Sequence, residues 1–315
     1  MRIVLAHGHV PFAQPPKLPA GMVLFVCHED FTMGPLRDWN DQPKFWKARA
    51  AYWRQTPVLD LPDGTKMDYV VWLQALPRYD LVDLLTRGTR FEDLPETHRF
   101  EDVAPKATAI EIWWDRTPGS TVLLWYLSAA LEGLGIDPSG VSVCAFPGSL
   151  REDRPQAFWS DMLLDRPGRA IPAVPLGEAE RQVMARCWSA AVDLPAPIDP
   201  ALMTQAAPHV LDTFDVLKGR HPNAETGLTN LEARLLHATH EDWRKMARVV
   251  GDAMGAGWDE NDEVGDGVLQ AALEEMAQRV PPLVEVKGTG EMRFCRARLA
   301  PAGLRQREAL RDPAG

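Results

Sequence analysis

The sequence predicts an α/β fold: an open, mostly parallel, Rossmann-like sheet, then a helical connecting region and a winged-helix-like C-terminal domain. Two observations lead to this prediction. Up to about residue 150, short apolar runs alternate with helical patterns, which is typical of a parallel sheet. From residue 227 onward, three helical patterns precede a β-hairpin, which is the order of a winged helix. With 315 residues, the chain is long enough for two or three domains.

Four apolar runs rich in β-forming residues predict the strands of the sheet. They span residues 3–6, 22–27, 108–114 and 141–146. Runs without polar alternation are typical of parallel strands that helices cover on both faces. Helices are predicted between them at Pro43–Gln55, with a proline in the first turn, and at Ser120–Leu134, which Gly135 ends as a C-cap. Residues 1–150 therefore form a ligand-binding or catalytic domain.

Residues 151–226 are predicted to connect this domain to the next. Their first part is rich in Pro, Gly and Arg and contains one short helical pattern, Gln156–Leu164. Two longer helices are predicted at Gly177–Val192 and Pro200–Lys218. The region is therefore expected to be helical.

Residues 227–315 are predicted to form the winged-helix-like domain. Thr229 and Glu232 make a capping box that opens its first helix. The later elements are helices at Glu241–Met254 and Asp266–Arg279, the second beginning at an Asp cap, and a hairpin of Leu283–Val286 and Met292–Leu299.

Composition limits the classes of partner. Lys and Arg number 34 against 44 Asp and Glu, a net charge of −10, so neither nucleic acid nor an anionic membrane is expected as a partner. No apolar run reaches the 18 residues of a membrane span. The four cysteines form no CxxC pair and the N-terminus shows no export signal, which together predict a cytoplasmic protein with reduced thiols.

The first three predicted strands all end in polar side chains. In open parallel sheets, ligands bind beyond the carboxyl ends of the strands, so these groups predict a cleft. The groups are His7, Gly8 and His9 after the first strand, His28, Glu29 and Asp30 after the second, and Asp115 and Arg116 after the third.

The predicted catalytic residues of this cleft are His7, His9, Glu29 and Asp115. An imidazole that titrates near neutrality can act as general acid or base, and a carboxylate can orient it. The same histidines and carboxylates match zinc or iron ligands, so a metal-dependent hydrolase is an alternative. A third interpretation is that the histidines only form hydrogen bonds at the strand ends.

The predicted ligand is a small anionic polar molecule. The helix after the third strand would present its N-terminal amides to an anion at Gly119 and Ser120, and Arg116 would add a forked donor. The alternative is that Thr117 or Ser120 only caps this helix. The other predicted ligand-binding residues are Gly8, His28 and Asp30.

Familiar cofactor motifs are missing from the sequence. It has neither G-x-G-x-x-G nor the P-loop pattern, so no nicotinamide or P-loop nucleotide is expected, and the cofactor stays open. The pattern G-x-S-x-G is also missing, which argues against Ser120 as a nucleophile.

The C-terminal domain is predicted to be structural or to bind a protein partner. Its third helix has no Lys or Arg before Arg279, so it would meet DNA phosphates with like charge. The basic residues lie on the wing and beyond it, at Arg293, Arg296, Arg298, Arg305 and Arg307. The alternative function for the whole chain is a regulator or adaptor with an α/β sensing domain and a winged-helix output module.

Several short segments, in their order along the chain, resemble an uncharacterised bacterial family, domain of unknown function eighteen thirty-five. The resemblance covers nearly the whole length. It is carried by His7-Gly8-His9, Gly34-Pro35, Trp113-Trp114-Asp115 with Leu123-Leu124, Trp188, Pro208, Leu211, Phe214, His221-Pro222, the segment 227–232, Gly265-Asp266 and the segment 299–303.

The resemblance implies an architecture, because the family carries no established activity. Many relatives have a Gly-Asp-Ser turn after the first strand, where this chain has Gly8-His9-Val10. Many also have acidic and His residues after the Trp strand, where this chain keeps Asp115 but continues with Arg116. The resemblance therefore implies a site that is either adapted to another ligand or has lost its original chemistry.

Overall fold

The structure is a computed structural model that divides into two compact units. The first unit comprises residues 1–50 and 73–215, and the second comprises 51–72 and 216–315. The residues that the structure describes are 2–7, 22–27, 30–53, 57–60, 66–68, 107–131, 136–145, 172–205, 208–259, 262, 264–288 and 292–311.

The elements are numbered along the chain. The strands are β1 Arg2–His7, β2 Met22–Cys27, β3 Pro57–Asp60, β4 Lys66–Asp68, β5 Ala109–Trp114, β6 Val141–Ala145, β7 Val174–Pro175, β8 Arg244–Lys245, β9 Val284–Lys287 and β10 Arg296–Leu299. The helices are α1 Gln42–Trp53, α2 Pro118–Ala130, α3 Glu178–Val192, α4 Pro200–Gln205, α5 Pro208–Gly219, α6 Asn230–Ala238, α7 Met246–Asp259, α8 Asp266–Gln278 and α9 Pro301–Arg311.

The described part of the first unit contains a sheet in the order β2-β1-β5-β6-β7. The first four strands are parallel, and the short strand β7 runs antiparallel to β6. The prediction of an α/β fold with a mostly parallel sheet is confirmed, and each predicted strand matches an observed one to within a residue or two. Ile3, Leu5 and Ile112 are almost fully buried, as expected for strands covered on both faces.

The core beside this sheet is aromatic. The ring of Trp188 on α3 meets Phe31 edge-on at 5.8 Å and Tyr126 of α2 at 5.1 Å between centroids. Arg49 of α1 is also buried here: its Nη2 donates to the Asp30 carbonyl oxygen at 2.8 Å, and its guanidinium carbon lies 5.1 Å from the centre of the Phe31 ring. These contacts hold the chain that follows β2.

Several helix boundaries of the first 220 residues differ from the prediction. Helix α2 begins at Pro118 rather than Ser120, because Thr117 is its N-cap. The predicted helix Pro200–Lys218 is two helices, α4 and α5, and the second begins at Pro208, which has no N–H to continue the first. The predicted cap Gly135 and the predicted helix Gln156–Leu164 lie outside the described residues.

The described part of the second unit contains helices and an antiparallel sheet in the order β8-β10-β9. The predicted hairpin is confirmed as β9 and β10. Its second strand begins at Arg296 rather than at Met292, because Met292–Phe294 forms a 3-10 turn. The capping box is confirmed as well: Glu232 N donates to Thr229 Oγ1 at 3.2 Å, and Thr229 N donates to Glu232 Oε2 at 2.8 Å.

One predicted helix start and one predicted helix cap in this unit are wrong. The helix predicted at Glu241–Met254 is α7, which begins at Met246, because Arg244 and Lys245 pair with β10 as strand β8. The N-cap of α8 is Gly265 rather than Asp266, which lies in the first turn. Strand pairing therefore overrides the local helical pattern.

The second unit also holds a buried charge cluster. Asp262 is buried, and its carboxylate accepts hydrogen bonds from Arg234 of α6 and from Arg220, whose Nη1 lies 2.7 Å from Oδ2. A Cβ on Gly257 would overlap the Arg234 guanidinium, so glycine makes room for it. The two arginines thus fix the chain between α7 and α8.

Three cysteines whose side chains the structure describes, Cys144, Cys187 and Cys295, are buried and form no disulfide. Burial raises the pKa of the Cys144 thiol to about 11 and that of Cys187 to about 12. Among the described residues, no helix is long and apolar enough to cross a membrane.

Asp262→Asn should destabilise the protein by about 3 kcal/mol, because it leaves two largely buried guanidinium groups without a counter-charge. Asp252→Asn is the matched control, since Asp252 is half-buried and pairs with Arg244 and Arg248 near the surface, where an ion pair is worth about 0.5 kcal/mol. Urea unfolding followed by tryptophan fluorescence measures both. Equal losses for the two variants would contradict this role of Asp262.

Alkaline pH should destabilise the protein through its buried thiols. In the unfolded chain a thiol ionises near pKa 8.5, whereas in the folded chain Cys144 ionises only near 11 and Cys187 near 12. Their contribution to stability is therefore present below about pH 8.5 and is lost as the pH rises toward 11. Between pH 8 and 10.5 the free energy of unfolding should fall by about 2 kcal/mol more per thiol than in Cys144→Ala/Cys187→Ala. Parallel pH profiles would contradict the prediction.

Candidate functional site

The sheet order brings the carboxyl ends of three strands to neighbouring positions. Strand β1 lies between β2 and β5, all three are parallel, and their registers pair His7 with Cys27 and Ala6 with Trp113. The last residues of these three strands therefore lie side by side at one edge of the sheet. This edge is the candidate site.

Asp115 organises the turn from β5 into α2. Its buried Oδ1 accepts hydrogen bonds from Thr117 N at 3.0 Å, from Thr117 Oγ1 at 2.8 Å and from the Ser120 hydroxyl. Thr117 Oγ1 accepts in turn from Ser120 N, which caps the helix. The Thr117 amide thus donates to the Asp115 carboxylate and the Ser120 amide to the Thr117 hydroxyl, so both amides have acceptors within the turn.

Arg116 adopts an unusual conformation in this turn. Its φ of 64° lies in the left-handed region, which favours glycine. Its guanidinium carbon lies 5.7 Å from the centre of the Trp114 ring. Its Nε is buried, and Arg116 makes no hydrogen bond with any residue that the structure describes. A cation is therefore held at the carboxyl edge of the sheet without an acceptor in the described chain.

His7 lies next to the same helix terminus. Its partly exposed imidazole packs against Gly119, where a Cβ would overlap the ring. Gly119 therefore lets the side chain at the end of β1 approach the first turn of α2. His7 and the network of Asp115, Thr117 and Ser120 thus meet at one helix terminus.

Asp30 forms a separate local turn after β2. Its Oδ1 accepts from Thr32 N at 2.9 Å and from Thr32 Oγ1 at 2.6 Å, and its carbonyl oxygen accepts from Arg49. Of the predicted site residues, Gly8, His9, His28 and Glu29 lie outside the described part of the chain. Within the described ranges, no group of three His, Cys, Asp or Glu side chains is placed to hold a metal ion.

Sequence reasoning missed the buried carboxylate Glu111, which lies in the interior of β5. Glu111 forms an ion pair with Arg2, and its Oε1 accepts from Trp113 Nε1 at 2.7 Å. A single acid inside the apolar run Ala109–Trp114 is the signal that could have found it. Both of its oxygens have partners, so Glu111 joins β1 to β5 below the candidate site.

A second missed contact ties the strand to the helix. Trp114 Nε1 donates to Thr121 Oγ1 at 3.0 Å, and both side chains are buried. This bond fixes the ring on which Arg116 lies. The Arg116 guanidinium is thus positioned by its contact with the Trp114 ring and by the backbone conformation of Arg116 itself.

No model of a known protein family matches this chain, and no curated protein is significantly similar to it.

Asp115→Ala should destabilise the protein by about 3 kcal/mol, because the buried Thr117 amide and the Ser120 hydroxyl lose their common acceptor. Asp137→Ala is the matched control: Asp137 also caps a turn, accepting from Ser139 N at 2.9 Å, but it is exposed, so water can replace the lost acceptor. Thermal or urea unfolding measures both variants. A loss below about 1 kcal/mol in Asp115→Ala would show that the network contributes no more than an ordinary cap.

Proposed function

We propose that the first unit binds a small anionic polar molecule at the carboxyl ends of β1, β2 and β5, as an enzyme or a ligand-binding protein. The observation that carries this proposal is the state of Arg116. A non-glycine residue in the left-handed region costs about 1 kcal/mol or more, and a desolvated Nε without an acceptor costs about as much again. The turn sets this backbone, and glycine would adopt it without strain, so packing on Trp114 alone does not explain an arginine here.

The sign of the unbalanced charge at this turn supports an anion as the ligand. Asp115 is consumed by Thr117 and Ser120, so its carboxylate neutralises the N-terminus of α2 rather than Arg116. The guanidinium fork suits a carboxylate or phosphate, which can accept two parallel hydrogen bonds. We therefore assign anion recognition to Arg116. The predicted role of Ser120 as a donor to the anion is not supported, because its amide donates to Thr117 and its hydroxyl to Asp115.

His7 is the described residue best suited to proton transfer to or from this ligand. It is partly exposed, its ring packs against Gly119 in the first turn of α2, and an imidazole can both donate and accept a hydrogen bond. In the enzyme version of the proposal, His7 or the predicted His9 acts as acid or base, and Glu29 orients it. A metal-dependent hydrolase that uses the loops His7-Gly8-His9 and His28-Glu29-Asp30 stays a prediction, as does the resemblance to domain of unknown function eighteen thirty-five.

A second candidate function is a regulator or adaptor whose output module is a winged helix. The order α6, β8, α7, α8, β9, β10 favours this fold for the second unit, because a winged helix also places a short strand after its first helix and a hairpin after its third. Two residues of the predicted basic group are paired: Arg298 with Glu285 at 2.7 Å and Arg307 with Glu241 at 3.2 Å. Their pairing favours a protein partner over DNA. Both candidate functions are consistent with the predicted cytoplasmic location.

Arg116→Gly separates a functional role from a structural one. Glycine relieves the left-handed strain, so the variant should be as stable as the natural chain or more stable by about 1 kcal/mol, yet it should lose anion binding. Calorimetric titration with inorganic phosphate and with citrate, at constant ionic strength, should show at least a tenfold weaker affinity.

Asp38→Gly is the matched control, because Asp38 has a φ of 62°, is exposed, and has a described partner, Lys44, at the surface. This change relieves the same kind of strain and should leave anion affinity unchanged. Phosphate and citrate affinities that are equal in the natural chain, Arg116→Gly and Asp38→Gly would overturn the proposal.

A further inference from the structure

Three cations form one row across the small sheet of the second unit. Arg296 on β10 pairs in register with Lys245 on β8 and with Lys287 on β9. Directly paired residues of neighbouring strands project from the same face of a sheet. All three side chains are exposed, whereas the next residue of β10, Ala297, is fully buried. We call Lys245, Arg296 and Lys287 the basic row.

The basic row has no counter-charge in the described chain. None of its three residues forms an ion pair or a side-chain hydrogen bond with another described residue. Like charges directly opposite each other on neighbouring strands destabilise a sheet. The chain as a whole has a net charge of −10, so three cations side by side without an acidic neighbour are unusual in it.

In the next row on the same face, a cation is paired with an anion on the neighbouring strand. There Arg298 of β10 pairs in register with Glu285 of β9, and its Nη2 donates to Glu285 Oε2 at 2.7 Å. Arg298 also lies over Trp243, with its guanidinium carbon 4.7 Å from the ring centre. Opposite charges thus balance one row of this face, and the basic row beside it is left positive.

An exposed apolar side chain lies just before the basic row in the chain. Phe294 is 65% exposed, and Arg293 stacks on its ring with the guanidinium carbon 4.9 Å from the centre. Phe294 belongs to the 3-10 turn that leads into β10. An exposed aromatic ring therefore lies two residues before Arg296 in the chain, and a partner that reaches it would remove apolar surface from water.

We propose that this face binds an acidic amphipathic helix of a partner protein. Neighbouring strands are about 4.8 Å apart, so the three cations span about 10 Å. Glutamates at positions i, i+4 and i+7 of a helix lie on one face and span about 10 Å at 1.5 Å per residue. An extended strand spaces same-face side chains about 6.7 Å apart and matches the row less well. An apolar side chain beside the glutamates would cover Phe294.

A nucleic acid fits this face less well than an acidic helix. Its phosphates would extend beyond the basic row, and the row beside it contributes no net positive charge, because Glu285 balances Arg298. Elsewhere the chain is strongly acidic. A partner that places three carboxylates on a short surface can bind the three cations without approaching the acidic residues elsewhere on the chain.

The test uses the full chain and a fluorescein-labelled helical peptide of 18 residues. The peptide carries Glu at i, i+4 and i+7 and Leu beside them, and its control has the same composition with the three Glu spread around the helix. Fluorescence anisotropy at low ionic strength should show saturable binding of the first peptide and at least tenfold weaker binding of the second. A single-stranded oligonucleotide and vesicles with anionic lipid are measured in the same way.

Arg296→Glu is the decisive variant. It places a carboxylate between Lys245 and Lys287, so we expect a melting temperature equal to or above that of the natural chain together with at least a tenfold loss of peptide affinity. Arg305→Glu is the matched control, since Arg305 is exposed on α9 and not on the sheet, and it should keep the affinity within about twofold. Phe294→Ser should weaken binding with little change in its salt dependence.

Three outcomes would overturn the proposal. The first is equal affinity for the two peptides, and the second is equal loss in Arg296→Glu and Arg305→Glu. The third is binding of the oligonucleotide or the vesicles through the basic row more tightly than the peptide, which would assign the face to a different class of partner. Failure of anion binding at Arg116 bears on none of these outcomes, because that site belongs to the first unit.

Discussion

The turn from β5 to α2 determines what the carboxyl edge of the first unit can do. One buried oxygen, Oδ1 of Asp115, accepts from the Thr117 amide and from two hydroxyl groups. This network requires a tight reversal directly after the strand, and Arg116 makes the reversal at a φ of 64°. The helix then begins where Gly119 admits the His7 ring. The strained backbone of Arg116 and the approach of the His7 ring both depend on the turn that the hydrogen bonds of Asp115 hold in place.

Much of the fold could be predicted from the sequence, because parallel strands covered on both faces must be continuously apolar. Ile3-Val4-Leu5 carries that signal without interruption, and Ile110 to Trp114 carries it with one exception, Glu111. The start of α7 could not be predicted in the same way. Residues 241–245 fit a helical pattern, but Arg244 and Lys245 gain more from hydrogen bonds to β10, which is distant in the chain.

The candidate site was predictable in its place but not in its geometry. Polar residues at strand ends identified the edge, and the order β2-β1-β5 makes that edge continuous. An aspartate after a strand is equally suited to catalysis and to capping. Only the three hydrogen bonds that Asp115 accepts show that it caps the turn. The left-handed backbone of Arg116 leaves no sequence signal either, because it arises from the turn rather than from the side chain. The basic row is hidden for a similar reason, since its register depends on long-range pairing.

The buried and paired arginines that the structure describes differ from Arg116 and Arg296 in having an acceptor for at least one terminal guanidinium nitrogen. Arg49 donates to two backbone carbonyl oxygens, and Arg220 and Arg234 share the carboxylate of Asp262, so each contributes to the folded state that holds it. Arg116 and Arg296 have no acceptor among the described residues, and each sits where its presence costs stability, through strain in one case and like-charge repulsion in the other. Folding alone gives no reason to keep a cation at either position. An anion that binds there supplies the missing interaction, and this is why both positions are better explained by recognition than by architecture.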